Sequence, residues 1–195
     1  MSRTPKLYFV RHGETDWNAA YRLQGQRDIP INAKGRKQAA RNGESLLEAL
    51  DDPSRFDYIA SPMSRTRETM NIVRRGLGLP AEGYRTDDRL KEVSYGDWEG
   101  FTFEELSETE ADRVAERKAD KFNFKAPRGE SYRMLLARVE SFLPYVENDS
   151  VIVCHGGIIR VLRHMLEGMD PEEAVRFVVP QDEIYFWDGQ SAHWI

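Results

Sequence analysis

Leu7-Tyr8-Phe9-Val10-Arg11-His12-Gly13-Glu14 and Val151-Ile152-Val153-Cys154-His155-Gly156-Gly157 share one plan: four apolar residues in a row, then a histidine followed by glycine, directly or after one arginine. An apolar run without alternation suits a strand buried on both faces, as in a parallel sheet covered by helices. In open sheets of that kind ligands bind beyond the carboxyl ends of the strands. Two of the chain's four histidines therefore fall where a site is expected. Glycine beside them lets the backbone turn sharply and approach a ligand closely, and a helix starting near Gly157 would aim free N–H groups at an anion.

Working outward, residues 33–50 carry Ala39, Leu46, Leu47 and Leu50 at mostly helical spacing and close on Asp51-Asp52-Pro53. Tyr58-Ile59-Ala60 reads as a strand halted by Ser61-Pro62, and residues 64–77 as a helix with Met70, Ile72, Val73 and Leu77 apolar. Residues 102–121 are charged and helix-prone, residues 131–147 amphipathic, and residues 158–166 a helix after the cleanest strand. The tail predicts strands at 176–179, 183–188 and 193–195, with turns at Pro180 and Asp188-Gly189. Strands separated by helices predict an α/β fold: a mostly parallel central sheet covered by helices on both faces. Residues 88–130 would be a small helical cap over the strand ends, within a single domain spanning 1–195.

Length and composition set the outer limits. At 195 residues, 40% hydrophobic and 31% charged, the chain can build a core without disulfide or metal staples. No stretch approaches the roughly 18 apolar residues of a membrane span. The N-terminus enters its first strand too soon for a secretory leader, so a cytoplasmic protein is expected. The single cysteine, Cys154, excludes a disulfide framework and a multi-Cys zinc site; inside its Val-Ile-Val-Cys strand it reads as a small core residue. A net charge of −5 speaks against a broad nucleic-acid surface.

The local chemistry has the opposite sign. Ser61-Pro62-Met63-Ser64-Arg65 puts Arg65 in the first turn of a helix, against the helix dipole. With Arg11 it gives two guanidiniums at strand ends, each able to bind phosphate oxygens in a fork. Two arginines and two histidines without a carboxylate cluster suit a tetrahedral dianion. His164 and His193 sit in no motif, and spacing does not decide between Arg65 and Arg67.

The blocks Arg11-His12-Gly13-Glu14-Thr15-x-Trp17-Asn18, Ser61-Pro62-x-x-Arg65-Thr66-x-x-Thr69, Leu90-x-Glu92 with Gly96-x-Trp98-Glu99-Gly100, and His155-Gly156-Gly157 resemble the histidine phosphatase superfamily, in its phosphoglycerate mutase-like branch. The resemblance implies a phosphohistidine enzyme with His12 as nucleophile. Arg11, Arg65 and His155 would hold the phosphate, and Glu92 would be general acid and then base. It also implies substrate contacts from Asn18, Gln24 and the backbone near Gly156, and no cofactor or metal. For such chemistry His12 must be neutral while His155 is more useful protonated, so their pKa values are expected to be pushed apart.

Within the branch, the region 117–124 lacks the paired-Arg, proline-bearing pattern of glycolytic mutases. Pro127-Arg128-Gly129-Glu130-Ser131 resembles instead the Pro-x-Gly-Glu-Ser segment of phosphatase members. A phosphomonoesterase acting on a small phosphate ester is therefore expected. A cofactor-dependent phosphoglycerate mutase and a silent phosphate-binding module stay open as alternatives. The cap aromatics Phe101, Phe103, Phe122 and Phe124 could wall a pocket or be helix core. The C-terminal strands could pair across a homodimer.

Overall fold

Six strands, β1 (Leu7–Arg11), β2 (Asp57–Ala60), β3 (Arg85–Thr86), β4 (Ser150–Cys154), β5 (Ile184–Trp187) and β6 (Ala192–Trp194), form a sheet in the order β3-β2-β4-β1-β5-β6. They belong to a computed structural model that describes residues 4–195; residues 1–3, part of the N-terminus discussed above, lie outside the described residues. β3, β2, β4 and β1 run parallel, β5 pairs antiparallel with β1, and β6 pairs antiparallel with β5. The expected mostly parallel sheet is thus present, with an antiparallel hairpin at one edge.

The apolar runs are continuous because both faces are covered. Phe9, Ile59, Ile152 and Cys154 pack on one side against α6 (Tyr132–Glu140), α7 (Gly156–Glu167) and α8 (Pro171–Arg176). Tyr8, Val10, Ala60, Val151 and Val153 pack on the other against α2 (Ala33–Ala49) and α3 (Ser64–Gly76). Successive strand side chains point to opposite faces, so a strand with a core on each side has no polar position to spare. No helix among the described residues is long and apolar enough to cross a membrane.

Residues 102–121 are helical as expected, but as two helices, α4 (Phe103–Thr109) and α5 (Ala111–Ala119), broken at Glu110. In one straight helix Leu106 and Val114 would lie about 12 Å apart along the axis; the break lets both pack around the fully buried Trp98, with Phe103 and Phe124. The predicted strand at 176–179 is instead the end of α8 followed by extended chain. Asp170 caps that helix by accepting from Glu172 N and Glu173 N at 2.9 and 3.0 Å, with Pro171 in its first turn, a start signal that was written in the sequence. Three of the four cap aromatics are core rather than pocket wall, Phe103 and Phe124 flanking Trp98 and Phe122 joining the main core, whereas Phe101 is exposed.

Candidate active site

Register builds the floor of the site. Arg11 pairs with Cys154 and Ala60 with Val153, so β1 and β4 end at one level and β2 one residue earlier. His12 and His155 emerge side by side, with Ser61 one step below. His12 N–H donates to Cys154 O and Ser61 N–H to Val153 O, both at 3.0 Å, extending the ladder by one step. Adjacent strands lie about 4.8 Å apart, and the two imidazole centroids are 5.2 Å apart, edge to face.

His12 Nδ1 lies 2.8 Å from Gly13 O. A carbonyl only accepts, so Nδ1 carries the proton and the Nε2 lone pair is left free. Burial first, then the nearby Arg65 and Arg11 charges, hold the His12 pKa well below the ordinary imidazole value, against the pull of the Gly13 hydrogen bond. His155 Nε2 pairs with Ser61 Oγ at 2.8 Å, and its buried Nδ1 has no partner. Its pKa is also held low, by burial, Arg65, His12, Arg138 and Arg11. The two histidines are therefore not pushed apart as expected, because the same burial and the same arginines act on both.

Both guanidiniums are anchored to backbone carbonyls. Arg65, fully buried, donates through Nη1 to Arg27 O and through Nη2 to Gly25 O, each at 2.8 Å. Arg11 Nη1 donates to Val179 O at 2.5 Å. The Nε atoms of both are buried without a partner. Burial, followed by the Arg160 charge, brings the Arg11 pKa down to about 10. The acid missing from the first turn of α3 comes from elsewhere: Asp28 Oδ1 accepts from Ser64 N and Oγ at 2.7 Å each. Arg67, the other candidate, is exposed.

The roof is made of loops. Glu92 lies on the N-terminus of α7, where Gly157 N–H donates to both carboxylate oxygens at 3.1 Å. A Cβ on Gly157 would stand 2.1 Å from Glu92 Oε1, so only glycine permits this approach. That N–H, expected to face a ligand, is thus occupied by Glu92, which leaves Gly156 as the first-turn residue at the cavity. Arg138 fixes the Glu92 loop through Lys91 O at 2.6 Å and pairs with Glu130 at 2.9 Å, and Glu130 accepts from Ser94 N at 3.0 Å. The Pro127-Arg128-Gly129-Glu130-Ser131 segment therefore acts on the site through the Glu92 loop. Glu99 ties this loop to the 23–26 loop by accepting from Gln26 N at 2.9 Å and Tyr95 N at 3.2 Å.

His12, Arg11, Arg65, Glu92, Asn18, Gln24 and Gly156 line one cavity of about 140 Å³; His155 stands behind it. Asn18 also has a structural duty, its Oδ1 accepting from Thr15 N at 3.1 Å in a capping box for α1 (Asp16–Ala19). Gln24 is buried with an unpartnered Oε1. Cys154 is fully buried in the core, and burial pushes its thiol pKa up. His164 Nδ1 binds Met169 O at 2.8 Å and His193 packs on Phe186, so both serve structure. No group of three or more His, Cys, Asp or Glu is placed to hold a metal ion among the described residues.

With this geometry in place, residues 7–194 match the family model of the histidine phosphatase superfamily (branch 1). The chain belongs to that superfamily. It is 36% identical over 168 residues to the uncharacterized phosphatase PhoE of Bacillus subtilis, covering 84% of this chain and 78% of PhoE. It is 32% identical over 198 residues to a probable phosphoglycerate mutase GpmB of Erwinia tasmaniensis, covering 97% and 87%. In structure it is similar to a candidate alpha-ribazole-5'-P phosphatase of Escherichia coli K-12, with a TM-score of 0.80 and 25% identity over 98% of this chain and 95% of that one.

Sequence reading of this histidine phosphatase missed several pocket residues. Arg160 lines the cavity, donating from Nε to Phe177 O at 2.8 Å and from Nη1 to the Tyr132 hydroxyl at 3.0 Å. Its signal was a charge on a helix whose neighbours Ile158, Ile159, Val161 and Leu162 are all apolar. Tyr95 and Arg22, also lining the cavity, and Ser61 behind His155 gave no comparable local signal.

Proposed function

We propose that this enzyme is a phosphomonoesterase that hydrolyses a small organic phosphate through a phosphohistidine on His12. One observation carries the reading. Three buried nitrogens, the donors Arg11 Nε and Arg65 Nε and the ring atom His155 Nδ1, which donates when Ser61 Oγ donates to Nε2, have no protein partner and lie around a histidine with a free Nε2. Each unmet buried donor costs about 1–3 kcal/mol, and a phosphoryl group brings acceptor oxygens for all of them.

His12 Nε2 attacks phosphorus in line, the N–P bond forming as the P–O bond to the leaving group breaks. The guanidiniums and His155 bear the charge on the equatorial oxygens, which is most of what phosphoryl transfer asks of a protein. Glu92, as an acid, gives its proton to the leaving oxygen; as a base it then takes one from the water that attacks the phosphohistidine and frees phosphate and His12. Asn18, with Oδ1 committed to the cap, offers Nδ2 to the ester, and Gln24 its amide.

Hydrolysis is favoured over mutase chemistry because two of the cap's basic residues are engaged elsewhere. Lys121 Nζ binds Val175 O at 2.5 Å, and Arg117 stacks on Phe103 with 4.4 Å to the ring centroid. Neither lines the cavity of about 140 Å³, which suits one phosphate and a small leaving group. Arg160 favours a leaving group with acceptor oxygens, and its presence keeps 3-phosphoglycerate among the substrates to test.

The deciding experiment is turnover of p-nitrophenyl phosphate, sugar phosphates, nucleotides and 3-phosphoglycerate, with and without 2,3-bisphosphoglycerate, together with acid-quench trapping of a labelled protein. A chelator-resistant hydrolase with an acid-labile phosphoryl label on His12 is expected. Full activity in His12→Ala would overturn the mechanism, and mutase turnover matching hydrolysis would overturn the assignment.

A further inference from the structure

The chain at 177–180 joins no strand and bends at 181, yet the carbonyls of every second residue from 177 to 181 are used. Phe177 O accepts from Arg160 Nε at 2.8 Å, Val179 O from Arg11 Nη1 at 2.5 Å, and Gln181 O from Asn42 Nδ2 at 3.1 Å. The segment is a strap that seats two of the cavity's guanidiniums and is itself tied to α2.

The strap ends in a side chain aimed at the nucleophile's backbone. Gln181 Nε2 donates to His12 O at 3.0 Å and lies 3.4 Å from Asn18 Oδ1. On the far side of the same peptide unit, Gly13 N–H donates to Thr69 Oγ1 at 3.1 Å. The His12–Gly13 peptide plane is thus clamped at both ends. That plane leads directly to Gly13 O, the acceptor that fixes the His12 ring and its tautomer.

We propose that Gln181 is a positioning residue for His12: by holding this peptide plane it aims Nε2 and couples that aim to the strap carrying Arg11 and Arg160. The inference rests on His12 being the nucleophile. Gln181 touches neither substrate nor reacting atoms in this scheme and acts through the backbone alone.

The test uses the full chain with Gln181→Met and Gln181→Glu, which keep the side-chain length and remove the N–H donor. Thr69→Val releases the other end of the same peptide. With p-nitrophenyl phosphate, Gln181→Met is expected to lower kcat about a hundredfold, the size of effect that a misplacement near 1 Å produces. Inorganic phosphate affinity, measured by calorimetry, should stay within about twofold, because Arg65 and His155 are untouched.

Gln181→Glu faces two acceptor oxygens, which disfavours its charged form. The nearest charged groups in the chain are the adjoining Asp182 with Arg41, 4.0 Å apart, and His12 is the titratable residue whose carbonyl Gln181 holds. Its activity relative to wild type should therefore rise as pH falls from about 8 to about 5, where a protonated carboxyl regains a donor. Retention of kcat within about twofold in Gln181→Met, parallel loss of kcat and phosphate affinity, or a flat pH ratio in Gln181→Glu would each overturn the proposal. ¹⁵N NMR of the His12 ring separates the two readings. Wild type should show a proton fixed on Nδ1, and Gln181→Met a mixture of tautomers. An unchanged spectrum sinks the positioning role, whereas a wild type that forms no phosphoenzyme sinks the catalytic reading alone.

Discussion

The floor and the roof of the pocket are built by different physics. His12, His155 and Ser61 are placed by strand register, with the ladder continuing into the site through His12 N and Ser61 N at 3.0 Å. Glu92, Gln24 and Tyr95 are placed by loops held together through Glu99, Glu130 and Arg138 and backed by the Trp98 cluster. The sheet fixes the floor whether or not a ligand is present, while the roof depends on a handful of carboxylate-to-backbone bonds. Changes in the floor, and at Glu92 itself, should therefore cost rate, whereas changes in the loops that make up the rest of the roof should cost stability and substrate affinity.

The sharpest division comes from His12→Asn, expected to lower kcat by about 10⁴-fold or more while leaving circular dichroism and melting temperature nearly intact. Arg65→Met should follow with a loss of about 10²–10³-fold, read as kcat on p-nitrophenyl phosphate. A comparable loss in melting temperature would mean that Arg65 holds the 25–27 loop more than it holds phosphate. On the roof side, Trp98→Ala removes a fully buried indole and should destabilise by about 3–5 kcal/mol. Heating should then abolish activity before it melts the sheet, since the cap opens first; coincident transitions would erase the floor-and-roof distinction.

Gly25→Ala is milder. Its φ of +49° and a Cβ 2.2 Å from Glu99 Oε1 should raise KM about tenfold with kcat nearly kept. The smallest effect is acid sensitivity. His12 and His155 are both depressed in the folded state, so the unfolded chain takes up protons first as pH falls. Their stability contribution is complete above about pH 6.5 and declines below it, by up to about 1.4 kcal/mol per pH unit for each histidine. His155→Gln should remove about half of that slope in a urea-denaturation series.

The same division explains what could be read from the sequence. Arg11, His12 and His155 follow directly from strand ends that are legible as apolar runs, whereas the choice of Arg65 over Arg67 came from the family resemblance. Glu92 and Gln24 carried no local signal and came only through a family resemblance, because their positions depend on which loops meet. Glu99, Glu130 and Gln181 act across long sequence separations, and no spacing rule reaches them. The tail misled for a related reason: residues 177–179 have the composition and the extended shape of a strand, but arginine side chains replaced the neighbouring strand as partners for their carbonyls. The break at Glu110 was likewise set by Trp98, which lies outside the helices it bends.

The place of β1 has a consequence for how the protein comes into being. Leu7 pairs with Ser150 on one side and with Trp187 on the other. The strand that carries Arg11 and leads to His12 is synthesised well before β4 and β5, the two neighbours that hold it in the sheet. Folding must close the long loop between β1 and its partners before His12 has a seat, and contacts of such separation slow folding. A nascent chain therefore leaves His12 solvated and undirected until the β5 segment has emerged, so phosphatase activity should appear abruptly with completion of the sheet rather than grow with chain length.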